Sequence, residues 1–121
     1  VRASYLGTGK LKGEIYDKLK ITFAQEGGGI DYQDEFVYWI HADRHTLDYL
    51  AYNYLTNGGG ARFREGFNFR EAAGIRFADY INYKPANGNR AVETFDLLFE
   101  SGKLTEVSRI INEDIQLSLP E

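Results

Sequence analysis

Apolar residues along this chain recur every three to four positions in four stretches, with glycine-rich breaks between them. That period predicts helices. From about Gly9 to Gln25 the stripe is Leu11, Ile15, Leu19 and Thr22/Phe23, with Lys10, Lys12, Lys18 and Lys20 lying off it. Gly27 then supplies a helix stop. From Asp31 to Asn57, the residues Phe36, Ile40, Leu47, Leu50, Ala51 and Tyr54 share one face at about 100° per residue. Asp31 is placed to cap that helix, with Asp34 and Glu35 in its first turn. Asp43 falls inside the apolar face. One long helix must therefore pair or bury it, or the helix breaks and restarts with Thr46 as cap.

The third stretch starts loosely at Arg62-Phe63, and its firm signal is Asn68-Phe69-Arg70-Glu71, the spacing of a reciprocal cap. Phe69, Ala73, Phe77, Tyr80 and Ile81 follow, and Pro85 forces a stop. The fourth runs from Arg90 to about Asp114. It carries Val92, Phe95, Leu98 and Phe99, then Val107, Ile110 and Ile111 beyond Gly102, with Thr105 as a second cap. The breaks themselves are Gly27-Gly28-Gly29, Gly58-Gly59-Gly60 and Lys84 to Asn89. Similar lengths joined by short connections predict antiparallel packing. The expected fold is all-α: an up-down-up-down four-helix bundle over about 9–100, with an irregular C-terminal extension over about 101–121, in one domain, 1–121. The ring-for-ring echo between Gly27–Tyr38 and Gly58–Phe69 reads as two helix starts under similar demands rather than as a repeat.

Composition sharpens this picture in three places. With 9 Tyr, 8 Phe and 1 Trp, the core must be built largely from rings, and each Tyr tip needs water or a partner. A net charge of −4 disfavours a nucleic-acid binder, which needs a basic footprint. The absence of Cys removes disulfides, thiolate zinc sites and cysteine nucleophiles. No apolar run approaches the roughly 20 residues of a membrane-spanning helix. There is no Met, and the start at Val1-Arg2-Ala3 is expected of a processed, exported or organelle-imported chain, with trimming as the rival.

Candidate chemistry is sparse. On a helix, His41, His45 and Asp48 form an i, i+4, i+7 row that can ligate a transition metal, although no further ligand is placed by sequence and a solvated polar face is the plainer reading. Tyr38, Tyr49 and Tyr52 fall on that same outward face, which suits a protein-docking surface. Arg62, Arg64, Arg70 and Arg76, interleaved with Phe63, Phe67 and Phe69, suit base stacking, a partner-binding edge, or Arg heads beyond a Phe core. Gly7-Thr8-Gly9-Lys10 lacks the frame of a phosphate loop. Tyr80 to Lys84 matches a dehydrogenase spacing in a chain with no dinucleotide fingerprint. No Ser, His and acid triad can be assembled. The reading is a non-catalytic protein with no cofactor and no metal, docking through Tyr38, His41, His45, Tyr49, Tyr52, Arg62 and Arg64. The alternatives are a small metal-binding protein or enzyme on His41, His45 and Asp48, and a regulatory or nucleic-acid module on Arg62 to Arg76.

The string Tyr49-Leu50-Ala51-Tyr52-Asn53-Tyr54-Leu55-Thr56 resembles a helix of the PsbQ-type extrinsic proteins of photosystem II, algal or diatom-type in particular. The resemblance implies a four-helix bundle in the thylakoid lumen without catalytic residues. It further implies docking on the photosystem II core beside other extrinsic subunits, and support of oxygen evolution through calcium and chloride retention. Such a protein is peripheral to a membrane complex and has no transmembrane segment. No metal ligand of that family maps onto a position here.

Overall fold

The computed structural model describes residues 2–22, 35–54, 59–86 and 89–111. They form an antiparallel sheet of seven strands in sequence order: β1 (Arg2–Leu11), β2 (Glu14–Thr22), β3 (Glu35–His41), β4 (Leu47–Tyr54), β5 (Gly60–Ala72), β6 (Ile75–Pro85) and β7 (Leu104–Ile110). Between β6 and β7 the chain crosses one face of the sheet as a 3₁₀ turn, Val92–Thr94, and a short helix α1, Phe95–Glu100. The expected all-α four-helix bundle is therefore wrong. Among the described residues of the fourth stretch only the 3₁₀ turn and α1 are helical, and Val107 and Ile110 belong to a strand paired with β6. Thr105 is a strand residue and not a cap, and residues 112–121 lie outside the described residues.

The physical reason for the difference is that apolar side chains line both faces of this sheet. In β3, Val37, Trp39 and His41 are buried on one face, while Phe36, Tyr38 and Ile40 are half-buried on the other. Such a run fits a helical stripe as well as a strand by spacing alone, and its β-branched and aromatic content decides for the strand. The Tyr49–Tyr54 part of the string that carries the PsbQ resemblance lies in β4, so the helix implied there is absent.

Two tight hairpin turns stand out among the described residues. Leu11 pairs with Glu14 across Lys12-Gly13, and Ala72 with Ile75 across Ala73-Gly74. All four intervening residues have positive φ, between 49° and 81°. That is the two-residue turn whose twist matches the flanking strands, and glycine occupies its second position without penalty. Asn68 is no cap either: it sits at φ 54° in the β5 bulge and donates from Nδ2 to Asp79 Oδ2 at 2.9 Å. The Gly27–Asp34 expectations lie outside the described residues.

The core lies between the sheet and the β6–β7 crossover. Leu11, Val37, Trp39, Phe63, Val92 and Phe95 are fully buried there, each contributing ~1.5–3 kcal/mol by leaving water. Rings interlock at 5.1–5.6 Å between centroids: Trp39 with Phe63, Tyr49 with Phe63, Phe63 with Phe99 and Tyr83 with Phe99. Polar clamps fix the crossover at its margins. Lys18 Nζ donates to Glu93 O at 2.6 Å and to Asp96 Oδ1 at 3.1 Å, and Asn53 Nδ2 donates to Arg90 O at 3.0 Å. Arg90 in turn donates to Tyr54 O at 2.6 Å and Gly60 O at 3.0 Å. No helix among the described residues is long and apolar enough to cross a membrane.

Candidate functional site

With the inner face closed by α1, function must be sought on the outer face or at the strand ends. On the outer face the register sets side chains in lateral rows. One row runs Ile21–Phe36–Tyr52–Arg62 across β2 to β5. The next runs Leu19–Tyr38–Leu50–Arg64–Asn82–Ser108 across β2 to β7. Each row passes from aliphatic to ring or branched side chain to guanidinium, because alternate residues of each strand share a face.

Phe36, Tyr38, Leu50, Tyr52, Tyr54 and Arg64 line a shallow hollow of about 450 Å³ in this face. Its rings are tilted against one another, Phe36 to Tyr52 at 6.0 Å and Tyr52 to Tyr54 at 6.1 Å. Arg64 is held from two directions. Its Nε donates to Asn82 Oδ1 at 2.8 Å, and its guanidinium lies over the Tyr80 ring at 5.5 Å. Asn82 is itself oriented by donating from Nδ2 to Ser108 Oγ at 3.0 Å. Arg62 donates to Ala61 O at 2.8 Å and lies over Tyr54 at 6.0 Å. A second hollow of about 430 Å³ shares Tyr54 with the first and is lined also by Arg62 and Lys84. No carboxylate of the described residues pairs with Arg62 or Arg64.

A second polar cluster gathers where β2, β3 and β4 meet. Asp48, the extra residue of the β4 bulge, is buried. It accepts from Tyr16 Oη at 3.0 Å, Arg44 Nη2 at 3.3 Å and Arg76 Nη2 at 3.0 Å. Burial, then the bond to Asp48, pushes the Tyr16 hydroxyl well above the usual range. His41 is buried and bonded on both nitrogens, with Glu14 Oε1 2.9 Å from Nε2 and the Asp43 and Arg44 N–H groups donating to Nδ1 at 3.1 and 3.0 Å. The bond from His41, and then that from Arg44, holds the Glu14 carboxyl below its ordinary range. Other buried carboxylates are also engaged: Glu65 by Lys12 and Tyr83, Asp79 by Arg70 and Asn68, Asp96 by Lys18. Each of these carboxylates acts as an acceptor for the cations, amide or hydroxyl packed around it.

The residues expected to dock are thus divided. Tyr38, Tyr52, Arg62 and Arg64 come together on the outer face. Tyr49 is buried against Tyr16, Phe63 and Phe99, and burial raises its hydroxyl pKa first of all causes. His41 points into the polar cluster, and His45 stands exposed in the β3–β4 turn at φ 58°. The metal row His41, His45 and Asp48 does not converge, and no group of three such side chains that could hold a metal exists among the described residues. The basic region is likewise split, since Arg70 pairs with Asp79 and Arg76 with Asp48. Phe36, Leu50, Tyr54, Tyr80 and Asn82 belong to the outer-face site but were not anticipated. For Phe36, Leu50 and Tyr54 the signal is alternation, Phe36-x-Tyr38-x-Ile40 and Leu50-x-Tyr52-x-Tyr54, read at a period of two.

Residues 2–112 match DUF6503, a family of unknown function. No curated protein and no solved structure matches the chain.

Proposed function

The chain belongs to the DUF6503 family, and on that premise we propose that it is a non-catalytic binding protein whose ligand surface is the outer face of β3–β5. The observation that carries this reading is the hollow lined by Phe36, Tyr38, Leu50, Tyr52, Tyr54 and Arg64. Apolar and aromatic walls with few convergent polar groups are what binding sites are made of. Rings on the solvent side of a sheet give up area to water that a ligand can recover, while the inner face has α1 as its cover. Photosystem II and the thylakoid lumen entered through a helix at Tyr49–Thr56; residues 49–54 of that string are strand, so this reading rests on the surface alone and takes over no partner from that resemblance.

The test is amide chemical-shift mapping with a small panel of aliphatic, aromatic, sugar, anionic and cationic fragments. Shifts concentrated at Phe36–Tyr38, Leu50–Tyr54 and Arg62–Arg64 are the expected result. Shifts confined to the polar cluster around Asp48, or none with any fragment, would sink the proposal.

A further inference from the structure

Resting on that reading, we propose that the outer face recognises an amphiphilic carboxylate: an apolar body laid over β2–β4, its head held by Arg64 with Arg62 beside it. Three observations converge on this ligand. The rows Ile21–Phe36–Tyr52–Arg62 and Leu19–Tyr38–Leu50–Arg64 have the same polarity, apolar at β2 and cationic at β5. Three strand spacings separate those ends, about 14 Å, which fits a medium-length alkyl chain with an anionic terminus. The hollow, about 450 Å³, has the size of a small-molecule site rather than of a macromolecular interface.

The second observation is charge. Lys12, Lys18, Lys20, Arg44, Arg70, Arg76 and Arg109 each pair with a carboxylate, whereas the half-buried Arg62 and Arg64 have, among the described residues, neutral oxygens and Tyr rings as partners. In a chain of net charge −4 this is a local surplus of positive charge with no counter-ion among the described residues. A cationic head meets repulsion here, and a neutral one gains only the apolar contact.

The third is pre-organisation. Arg64 spends Nε on Asn82 and keeps its terminal nitrogens for a carboxylate, in the planar fork that guanidinium presents. The Ser108–Asn82–Arg64 chain and the Tyr80 ring fix that fork in advance, which lowers the ordering cost of binding. Asn82 is therefore a positioning residue for the head group.

The experiment compares decanoate, decanol and decyltrimethylammonium, each below its micellar concentration, by calorimetry and amide shift mapping on the unmodified protein. Decanoate is expected to bind roughly tenfold or more tighter than decanol, with decyltrimethylammonium weakest. Decanoate binding should weaken with salt, and should fall towards that of decanol in acid as the head is protonated. Arg64→Leu should erase the advantage of decanoate over decanol, and Asn82→Ala should reduce it while leaving decanol binding unchanged. Unchanged inner-face resonances in each variant show that the fold is intact. Equal affinity for the three heads, or an advantage that survives Arg64→Leu, overturns the carboxylate assignment while leaving the binding surface standing. Binding of an acidic peptide but not of decanoate also overturns it and gives the face to a protein partner. Failure of every fragment to bind the outer face removes the surface and the assignment together.

Discussion

Replacing Lys18 by Met tests how the crossover is fastened to the sheet. The substitution keeps an unbranched stem and removes the ammonium. It strands the Asp96 carboxylate, whose side chain is only 3% exposed, and takes away the donor to Glu93 O. Removing one partner of a buried pair costs about 3–5 kcal/mol. Lys18 retains 12% exposure, which places the expected loss near the lower bound, about 3 kcal/mol. The opposite change, Asp96→Asn, should cost less, about 1–2 kcal/mol, because Lys18 keeps the Glu93 carbonyl and the Trp39 ring 5.8 Å away. Against a total stability of ~5–15 kcal/mol the Lys18 loss is large. Urea unfolding followed by the fluorescence of Trp39, the sole tryptophan and fully buried, should show a midpoint lower by about 1–3 M. Asp96→Asn costing as much as Lys18→Met, or more, would refute the reasoning.

Three further outcomes are expected. Gly9→Ala places a Cβ against the Asp96 carboxylate and 3.1 Å from Lys18 Cδ, so it should cost about 1–3 kcal/mol in the same urea assay, and its effect should not add to that of Lys18→Met because the two share atoms. Nitrogen NMR of His41 should show the proton on Nε2, since Nδ1 accepts from the Asp43 and Arg44 N–H groups; a proton on Nδ1 would contradict the turn geometry. Burial, then the bond to Glu65, pushes the Tyr83 hydroxyl up to about 12, so the native state keeps a proton that the unfolded chain loses near pH 10. Its contribution is therefore whole below about pH 10 and lost as pH rises towards 12, with Tyr16 and Tyr49 acting in the same direction. Urea midpoints should fall over that window, and less steeply in Tyr83→Phe; a flat profile would count against the buried phenol.

What the sequence disclosed was local. Ring-rich composition foretold a core of interlocked aromatics, whereas Pro85, expected to stop a helix before it, is the last residue of strand β6. Of the three tyrosines expected on an outward helical face, Tyr38 and Tyr52 lie on the outer face of the sheet and Tyr49 is buried, and the face is a strand's rather than a helix's. The fold was hidden because β2 inverts the usual pattern: its inner face carries Tyr16, Lys18 and Lys20, and Ile15, Leu19 and Ile21 point outward. A lysine whose partner lies 78 residues away gives no local sign of being inside. Lys12-Gly13 and Ala73-Gly74 were the legible hairpin marks, overshadowed by the more conspicuous glycine triplets. Asp48 and His41 could not be placed from sequence, because a bulge in the β3–β4 ladder decides which way Asp48 faces.

The order β1-β2-β3-β4-β5-β6-β7 has a kinetic side. Every strand pairs with its neighbour in sequence, so the sheet is assembled from nearest-neighbour ribbons with modest loop-closure entropy, an economical route for an all-β chain. The distant closures belong to the crossover, where Lys18 meets Asp96 across 78 residues and the Lys12 N–H meets Glu100 across 88. A meander can therefore grow ribbon by ribbon, but its rings dry only when the last third of the chain arrives. During synthesis from the N-terminus, Trp39 and Phe63 must wait for Val92 and Phe95, which makes the interval before α1 emerges the period in which this chain is most exposed to aggregation.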